Sequence, residues 1–431
     1  MAINLNIIAQ DTIRLNIKIP KIVIIPAPPD TIANQIKNVQ ITYLYPLGTN
    51  GLYSYKYTNK FSINLLAGLN GGVDGLEFGG IMNINNGNVK GIQIGGIGNV
   101  TRGDVWGTQI GGIFNINSGY TEGVMLTSHF NINSGDFKGA QVSGIFNTNF
   151  AHFEGAAISG IFNFNRLAGD GFQGAGICNI NSSIFKGVQM AGILNSNTVF
   201  LSNDFSELTQ ISGVLNINTS KIDGAQISSC LNINTDTMKG VQVGLVNFAC
   251  QMDGVQIGLF NVCGGDSSKV VPIGLLSIIK NGLHQIEISA NDLIYGNLNI
   301  KLGVNEFYSI FKFGFSVYQS NYIYSTGLGA GISVCISDKS RIHFELSDSY
   351  ITDFKSYTFS LLSKADLFFQ YKFAKHFAMN IGPSYNSLFS VRRKSEIQPI
   401  IEPIYSFYNY NSRSYNVKDW VGANVGFVFT F

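Results

Sequence analysis

The sequence predicts an all-β protein, and three features of the 431-residue chain carry this prediction. Only 13% of the residues are charged, about half the share usual in soluble globular proteins, while 45% are hydrophobic. The hydrophobic residues come with 49 Gly and 32 Phe, which are turn formers and strand formers. A 16-residue repeat fills the middle of the chain, and the C-terminal third alternates apolar and polar residues with the period of a strand.

Charge and hydropathy exclude two classes of protein. The net charge is +2, and no cluster of Lys and Arg is present with which to bind nucleic acid. A membrane helix needs about 18 nearly uninterrupted apolar residues, whereas polar residues or Gly interrupt each apolar run within about ten positions. We therefore expect any entry into a bilayer to be made by strands.

The chain divides into three parts. Residues 1–39 read as a truncated secretory signal remnant, up to about Thr12, followed by an extended linker with Pro20, Pro26, Pro28 and Pro29. A frayed N-terminal strand is the alternative for the remnant. Residues 40–281 hold a strand run-in and the repeats, and residues 282–431 hold amphipathic strands that end in Phe431.

An apolar residue followed by Asn marks each repeat. This Asn recurs at intervals of 16 residues for eight copies, and four more copies follow at intervals of 21, 16, 15 and 14. A Gly stands eight residues before most of these Asn residues. So strict a period indicates a repeat architecture. The twelve positions are 83, 99, 115, 131, 147, 163, 179, 195, 216, 232, 247 and 261.

Two architectures fit this repeat. Taken as one strand, residues 92–100 alternate between two faces, which is typical of a transmembrane barrel strand. Taken as two short strands with a corner at Gly95-Gly96 or Ser143-Gly144, each copy is one coil of a parallel β-solenoid in which the Asn residues stack. The strict period favours the solenoid, and so does the residue missing from the small pair in the copies ending at Asn247 and Asn261. The C-terminal third favours the barrel, so the sequence predicts a large antiparallel outer-membrane-type β-barrel with one strand per repeat. The alternative is solenoid repeats followed by a C-terminal barrel.

The C-terminal third carries the cleanest alternation. Phe311, Phe313 and Phe315 oppose Lys312 and Gly314, and similar patterns follow up to residue 381. In the last strand, from Trp420, every odd-numbered residue from 421 to 431 is apolar. This strand resembles the terminal strand of bacterial outer-membrane barrels, in which a C-terminal aromatic residue is read by the barrel-assembly machinery. An antiparallel sandwich is the alternative, although so many aromatic residues on single faces favour a barrel.

Catalytic, cofactor-binding and metal-binding residues are not predicted. The five His residues are scattered, and the five Cys residues show no C-x-x-C spacing and read as small packing residues. His284, Glu287 and Asp292 are close in sequence. However, His284 and Glu287 are three residues apart on a predicted strand, so their side chains point to opposite faces, and we interpret the three residues as a solvated face and a turn. Gly327 to Gly331 suggests a phosphate loop, but no helix follows it, and close strand packing is the better interpretation.

Repeat segments such as Gly139 to Asn149 and Gly187 to Asn197 resemble those of the LA_2272-type surface-repeat proteins of Bacteroidetes and spirochaetes. So do Phe61 to Gly72 before the repeats and Val271 to Ala290 after them. The resemblance covers roughly residues 40–320. It implies a place in the outer membrane or on the surface of a Gram-negative cell, and the family carries no established activity or functional residues to transfer. We expect outer-membrane lipid as a partner of such a protein.

Three functions follow as expectations. The first is a non-enzymatic outer-membrane protein that serves as a structural barrel or passive pore. The second is a surface-exposed repeat protein that binds a protein or glycan partner and is anchored by a C-terminal barrel. The third, a secreted enzyme, needs a reactive cluster that the sequence does not offer.

Overall fold

The computed structural model describes residues 35–199, 205–264, 269–354, 359–391, 401–412 and 414–431. The predicted signal remnant and most of the Pro-rich linker lie outside these residues, while residues 35–39 of the linker belong to the first strand. The described residues form 36 strands and one short 3-10 helix, Gly51–Lys56. No helix in this part of the chain is long and apolar enough to cross a membrane.

The first 27 strands form one sheet system. They are β1 (Gln35–Leu44), β2 (Leu47–Gly48), β3 (Tyr57–Asn70), β4 (Gly72–Gly79), β5 (Met82–Asn85), β6 (Val89–Gly95), β7 (Gly98–Thr101), β8 (Val105–Gly111), β9 (Phe114–Asn117), β10 (Thr121–Thr127), β11 (Phe130–Asn133), β12 (Phe137–Ser143), β13 (Phe146–Asn149), β14 (Phe153–Ser159), β15 (Phe162–Asn165), β16 (Gly169–Ala175), β17 (Cys178–Asn181), β18 (Phe185–Ala191), β19 (Leu194–Asn197), β20 (Ser206–Ser212), β21 (Leu215–Asn218), β22 (Ile222–Ser228), β23 (Leu231–Val243), β24 (Val246–Ile257), β25 (Phe260–Cys263), β26 (Val270–Ile273) and β27 (Leu276–Ile279).

These strands build a parallel β-solenoid of about 13 turns. A regular repeat supplies one strand of seven residues and one of four, and each pairs in parallel with its counterpart in the next coil. Val89 of β6 lies opposite Val105 of β8, for example, and Asn99 of β7 lies opposite Asn115 of β9. The prediction of a large antiparallel barrel with one strand per repeat is therefore wrong, and the solenoid alternative describes the repeats.

Small residues explain why each repeat bends into a coil. The Gly eight residues before the landmark Asn has a positive φ, such as 136° at Gly139, which residues with a side chain rarely adopt. A Cβ atom at Gly139 would also lie 1.9 Å from the carbonyl oxygen of Gly123 in the preceding coil. At the corner, a Cβ at Gly144 would lie 1.9 Å from the carbonyl oxygen of Ser128. Glycine at most of these positions therefore lets the coils stack closely, with exceptions such as Leu208 and Ser128 in the two columns.

The last nine strands form a separate antiparallel sheet. They are β28 (Leu283–Asn291), β29 (Gly296–Val304), β30 (Phe307–Tyr318), β31 (Asn321–Ser337), β32 (Ser340–Thr352), β33 (Ser360–Ala374), β34 (Phe377–Val391), β35 (Tyr408–Asn411) and β36 (Tyr415–Thr430).

Eight of these strands close into a ring. Consecutive strands from β28 to β34 pair antiparallel, β34 pairs with β36, and β36 pairs back with β28. We call this closed sheet the C-terminal barrel; β35 is an extra short strand beside β36. Its two ends differ. The turns at residues 305–306, 338–339 and 375–376 lie at the end where the solenoid enters and Phe431 emerges. The opposite end carries the two-residue turn 319–320, residues 292–295 and the strand ends at Thr352, Ser360, Val391 and Tyr415.

Candidate functional site

Asparagine amides, rather than aliphatic side chains, fill much of the solenoid interior. Asn64 and the twelve landmark Asn residues form a ladder in which the side-chain Nδ2 of each Asn donates to Oδ1 of the Asn in the next coil, in twelve successive bonds of 2.8–3.1 Å that end on Asn261. The same Nδ2 also donates to a main-chain carbonyl of the next coil, as Asn147 does to Ile158 at 2.9 Å. The landmark Asn therefore holds the coils in register, because a buried amide is satisfied only when its neighbours align.

A second amide column ends on a buried acid. Gln109 Nε2 donates to Gln93 Oε1 at 2.6 Å, and Gln93 Nε2 donates to Glu77 Oε2 at 2.7 Å. The Glu77 carboxylate also accepts from three Asn side chains, at positions 64, 70 and 85. Burial raises the pKa of Glu77 from its ordinary 4.5 to about 7, although the four amide donors oppose this shift. We therefore expect the stability of the first coils to depend on pH up to about neutrality.

The outer surface of the solenoid is apolar along one edge. The corner between the long and the short strand of each coil exposes one side chain, aliphatic in eleven of thirteen coils and between 37% and 49% exposed at most positions. Outward residues of the adjoining strands, such as Ile158 and Phe162, are also apolar. We call this surface the apolar edge. Its corner residues are Ile81, Ile97, Ile113, His129, Ile145, Ile161, Ile177, Ile193, Val214, Cys230, Leu245, Leu259 and Leu275.

The opposite edge of the solenoid, which we call the polar edge, carries the charged residues. Lys138 pairs with Glu154 at 3.0 Å, and Asp136 contacts His152 at 3.3 Å, all on exposed turns or strand ends. A shallow open groove runs along this edge beside them, from residue 120 to residue 186. Exposed ion pairs contribute little to stability, so this edge is a solvated face.

The interior of the C-terminal barrel holds an ionic cluster. Lys301 Nζ lies 2.8 Å from Glu287 Oε2 and also binds Glu345, and the Tyr308 hydroxyl donates to Glu345 at 2.9 Å. Further along the interior, Asp366 takes Lys364 and Lys312 as cationic partners. The three cations and three carboxylates balance, as buried charges must. The cluster is formed by strands distant in sequence.

This interior is filled rather than open. Lys301, Glu287, Glu345 and Asp366 are each at most 1% exposed, and large side chains such as Trp420 are buried there too. An eight-stranded barrel is just wide enough for its side chains to fill it. The outside has the reverse chemistry. Apolar side chains between 39% and 62% exposed line the outward face of the last strand, from Val421 to Phe431.

The last coil of the solenoid packs against the barrel end that carries the tight turns. β26 and β27 contact β29 and β30, and Val304 of β29 belongs to the same apolar cluster as Ile279 of the solenoid. Ser309 Oγ on β30 donates to the carbonyl oxygen of Gly274 at 2.5 Å, at the corner that bears Leu275. The barrel therefore covers part of the open end of the solenoid, and the apolar edge ends against the barrel wall.

His284, Glu287 and Asp292, which are close in sequence, do not form a reactive site in the structure. His284 and Glu287 point to opposite faces, as predicted, but the prediction that Glu287 is solvated is wrong because it lies in the ionic cluster. His284 lies beside the ring of Phe431, and the Asp292 carboxylate accepts a hydrogen bond from Trp420 Nε1. Sequence reasoning missed the ionic cluster, although its members stand on the polar side of alternating strands.

Other expected features have plain structural roles. Gly327 to Gly331 lies within β31, where the glycines pack closely against β32 and the Tyr308 ring, so the strand interpretation is confirmed. None of the five cysteines, all of which lie in the described residues, forms a disulfide. Among the described residues, no group of three or more His, Cys, Asp or Glu side chains is placed to hold a metal.

Comparisons with family models, curated proteins and solved structures gave no match to this chain. The resemblance of the repeats to LA_2272-type proteins therefore stays an expectation. The class of protein that the fold defines is a parallel β-solenoid joined to a closed eight-stranded antiparallel sheet.

Proposed function

We propose that this chain is an outer-membrane repeat protein in which the C-terminal barrel is the anchor and the solenoid is the interaction module. One observation carries the proposal: the closed sheet has apolar side chains outside and charged side chains inside, the reverse of a water-soluble barrel. Lipid-facing and interior residues alternate in this way in transmembrane barrels. The outward aromatic residues of the final strand suit recognition by the barrel-assembly machinery.

The filled interior favours an anchor over a passive pore. A conducting barrel needs a continuous path of water, whereas the ionic cluster around Lys301 is sealed from solvent. We therefore expect the purified protein to show heat-modifiable migration in detergent gels and no single-channel conductance in planar bilayers. Stable unitary conductance would favour the pore instead.

Substitution at two depths of one strand tests the anchor. Phe369 and Phe373 both lie on the outward face of β33, Phe369 nearer its middle and Phe373 near its end. A lysine at the bilayer centre costs about 2–4 kcal/mol, falling to about 0–1 near the interface. Phe369→Lys should therefore reduce assembly into the heat-modifiable form far more than Phe373→Lys. Equal effects would contradict a membrane-spanning barrel.

The lengths of the connections orient the solenoid. Outer-membrane barrels have short periplasmic turns and longer extracellular loops. The solenoid enters at the end with three two-residue turns, so we place it on the periplasmic side.

Labelling of whole cells tests this orientation. In a chain with Cys230 and Cys335 replaced by Ser, an impermeant maleimide should label Phe354→Cys, in the long-loop end, on intact cells. It should label Lys186→Cys, on the polar edge of the solenoid, only after the outer membrane is permeabilised. Labelling of both on intact cells would instead favour the surface-exposed adhesion function.

A further inference from the structure

We propose that the apolar edge of the solenoid lies on the lipid leaflet from which the barrel's tight-turn end emerges. This inference rests on the proposed function, because it requires the barrel to fix the solenoid at a membrane. Its occupant is the acyl-chain and glycerol region of a bilayer, not a folded protein partner. Four observations carry it.

The first observation is the extent of the apolar edge. Thirteen corners stack at the spacing of adjacent strands, about 4.8 Å, which gives a surface roughly 60 Å long. With the outward residues of the adjoining strands, its area is on the order of 1,000 Å², beyond the largest apolar patch of a typical soluble monomer at about 300–600 Å². Charged residues are absent from all thirteen corners.

The second observation is the shape of the apolar edge. Every corner from residues 80–81 to 274–275 has two residues, so no loop stands out from this side. The turns differ in length only on the polar edge, where the connections between residues 197 and 206 and between residues 263 and 270 are longer than the usual three-residue turn, while the copies ending at Asn247 and Asn261 lack one residue of the long strand before the corner. A long, straight surface without projections fits a flat lipid leaflet, whereas a folded partner needs shaped complementarity.

The third observation is continuity with the barrel wall. The corner at Gly274 is bonded to Ser309, which faces outward on β30. The next outward residues on that strand are Phe311, Phe313 and Phe315, and the last two are 47% and 44% exposed. The apolar edge therefore begins where the apolar wall of the barrel begins, so the same lipid bilayer can contact both surfaces.

The fourth observation is the distribution of charge. The charged residues of the regular coils, such as Lys138, Glu154 and Lys186, lie on the polar edge, away from the corners. An amphipathic body of this kind lies in the plane of the interface with its apolar side in the lipid and its charged side in water.

Depth-dependent quenching of single tryptophans in the full-length protein tests the proposal. The native Trp106 and an introduced Ile113→Trp lie on the polar and apolar edges of the same coil, and Phe313→Trp reports on the barrel wall. All three proteins carry Trp420→Phe, and the two introduced tryptophans also carry Trp106→Phe. Each protein is reconstituted into dioleoylphosphatidylcholine vesicles with or without bromine at carbons 9 and 10 of the acyl chains.

We expect Phe313→Trp and Ile113→Trp to lose at least twofold more fluorescence to brominated lipid than Trp106 does. If Phe313→Trp is quenched but Ile113→Trp is quenched no more than Trp106, lipid docking of the solenoid is overturned and the anchor stays intact. Absence of quenching at Phe313→Trp would overturn the anchor itself. If Ile113→Trp lacks the heat-modifiable form, Ile193→Trp serves as a second probe of the apolar edge. Its quenching is compared with that of Trp106 in the same way, and the same outcomes support or overturn lipid docking.

Discussion

Replacement of one ladder asparagine should destabilise the solenoid far more than its size suggests. Asn147 is fully buried; its Oδ1 accepts from Asn131 at 2.9 Å, and its Nδ2 donates to Asn163 at 3.0 Å. Asn147→Ala takes one acceptor from the Asn131 amide, which keeps the carbonyl oxygens of Met125 and Val142, and it leaves Oδ1 of Asn163 without its donor. An orphaned buried group costs about 1–3 kcal/mol and a lost hydrogen bond about 0.5–1.5 kcal/mol, so we expect a loss of about 1.5–4.5 kcal/mol in the free energy of unfolding. That is a large part of the 5–15 kcal/mol typical of folded domains.

The aspartate variant separates hydrogen bonding from packing. Asn147→Asp keeps the shape and can still accept from Asn131, but an ionised carboxylate cannot donate to Asn163 and adds a buried charge. We expect it to be at least as unstable as Asn147→Ala at pH 7 and to recover part of its stability at acidic pH, where a protonated carboxyl can donate.

The assay is urea unfolding followed by circular dichroism in detergent, with Lys186→Ala on the exposed polar edge as the control, for which we expect little change. The reasoning would be refuted if Asn147→Asp matched the wild type at pH 7 and Asn147→Ala cost less than about 1 kcal/mol, the net value of an ordinary hydrogen bond.

Three further predictions concern other buried groups. The folded pKa of Glu77 lies above its unfolded value, so the stability that it contributes is present below about pH 4.5 and is lost as the pH rises through about 7. The full change in the free energy of unfolding is about 3 kcal/mol. In Glu77→Gln, the urea midpoint should therefore depend less on pH between pH 5 and 8. Lys301→Met strands two buried carboxylates, and we expect a cost of about 3–5 kcal/mol and loss of the heat-modifiable form, whereas Lys372→Met, at the exposed end of β33, should retain it. Gly139→Ala places a Cβ against the preceding coil at a φ of 136°, and its urea midpoint should fall well below that of Ala140→Gly.

Parity explains why the repeat resembled a single strand. The inward residues of one coil include Gln141, Ser143, Asn147 and Asn149, all with odd numbers. The two-residue corner between them advances the chain by an even number, so the alternation of faces continues through it unbroken. Only the copies that lack one residue before the corner break this parity, and with the strict period they were one of the two sequence features that favoured a solenoid.

The sequence predicted the two faces of the strands and, through the outer-membrane barrel interpretation, the apolar face outside, but not the partners of the inward residues. Alternation places Glu345 opposite Phe344 and Leu346 in any sheet, buried or solvated. The direction depends on whether the polar side chains find partners, and those partners come from strands that are 44 residues apart for Lys301 and Glu345. Pairings over such distances have no signature in a local pattern, so the ionic cluster was beyond prediction from the sequence.

The solenoid and the barrel solve the same problem in the same way. In each, amides or paired charges lie inside beside buried apolar clusters, and many apolar side chains are exposed outside. The polar part of each interior is stabilised by hydrogen bonding, which depends on the register of the strands and accounts for the 16-residue spacing of the regular repeats. The exposed apolar side chains gain less than buried ones from folding in water, and the proposed lipid environment would explain their regular presence on both modules. Replacing two corner residues together, Ile161→Ser and Ile177→Ser, tests this explanation. We expect weaker contact of the solenoid with the lipid, measured as weaker brominated-lipid quenching at Ile113→Trp. If the apolar edge met only water, the quenching would not change.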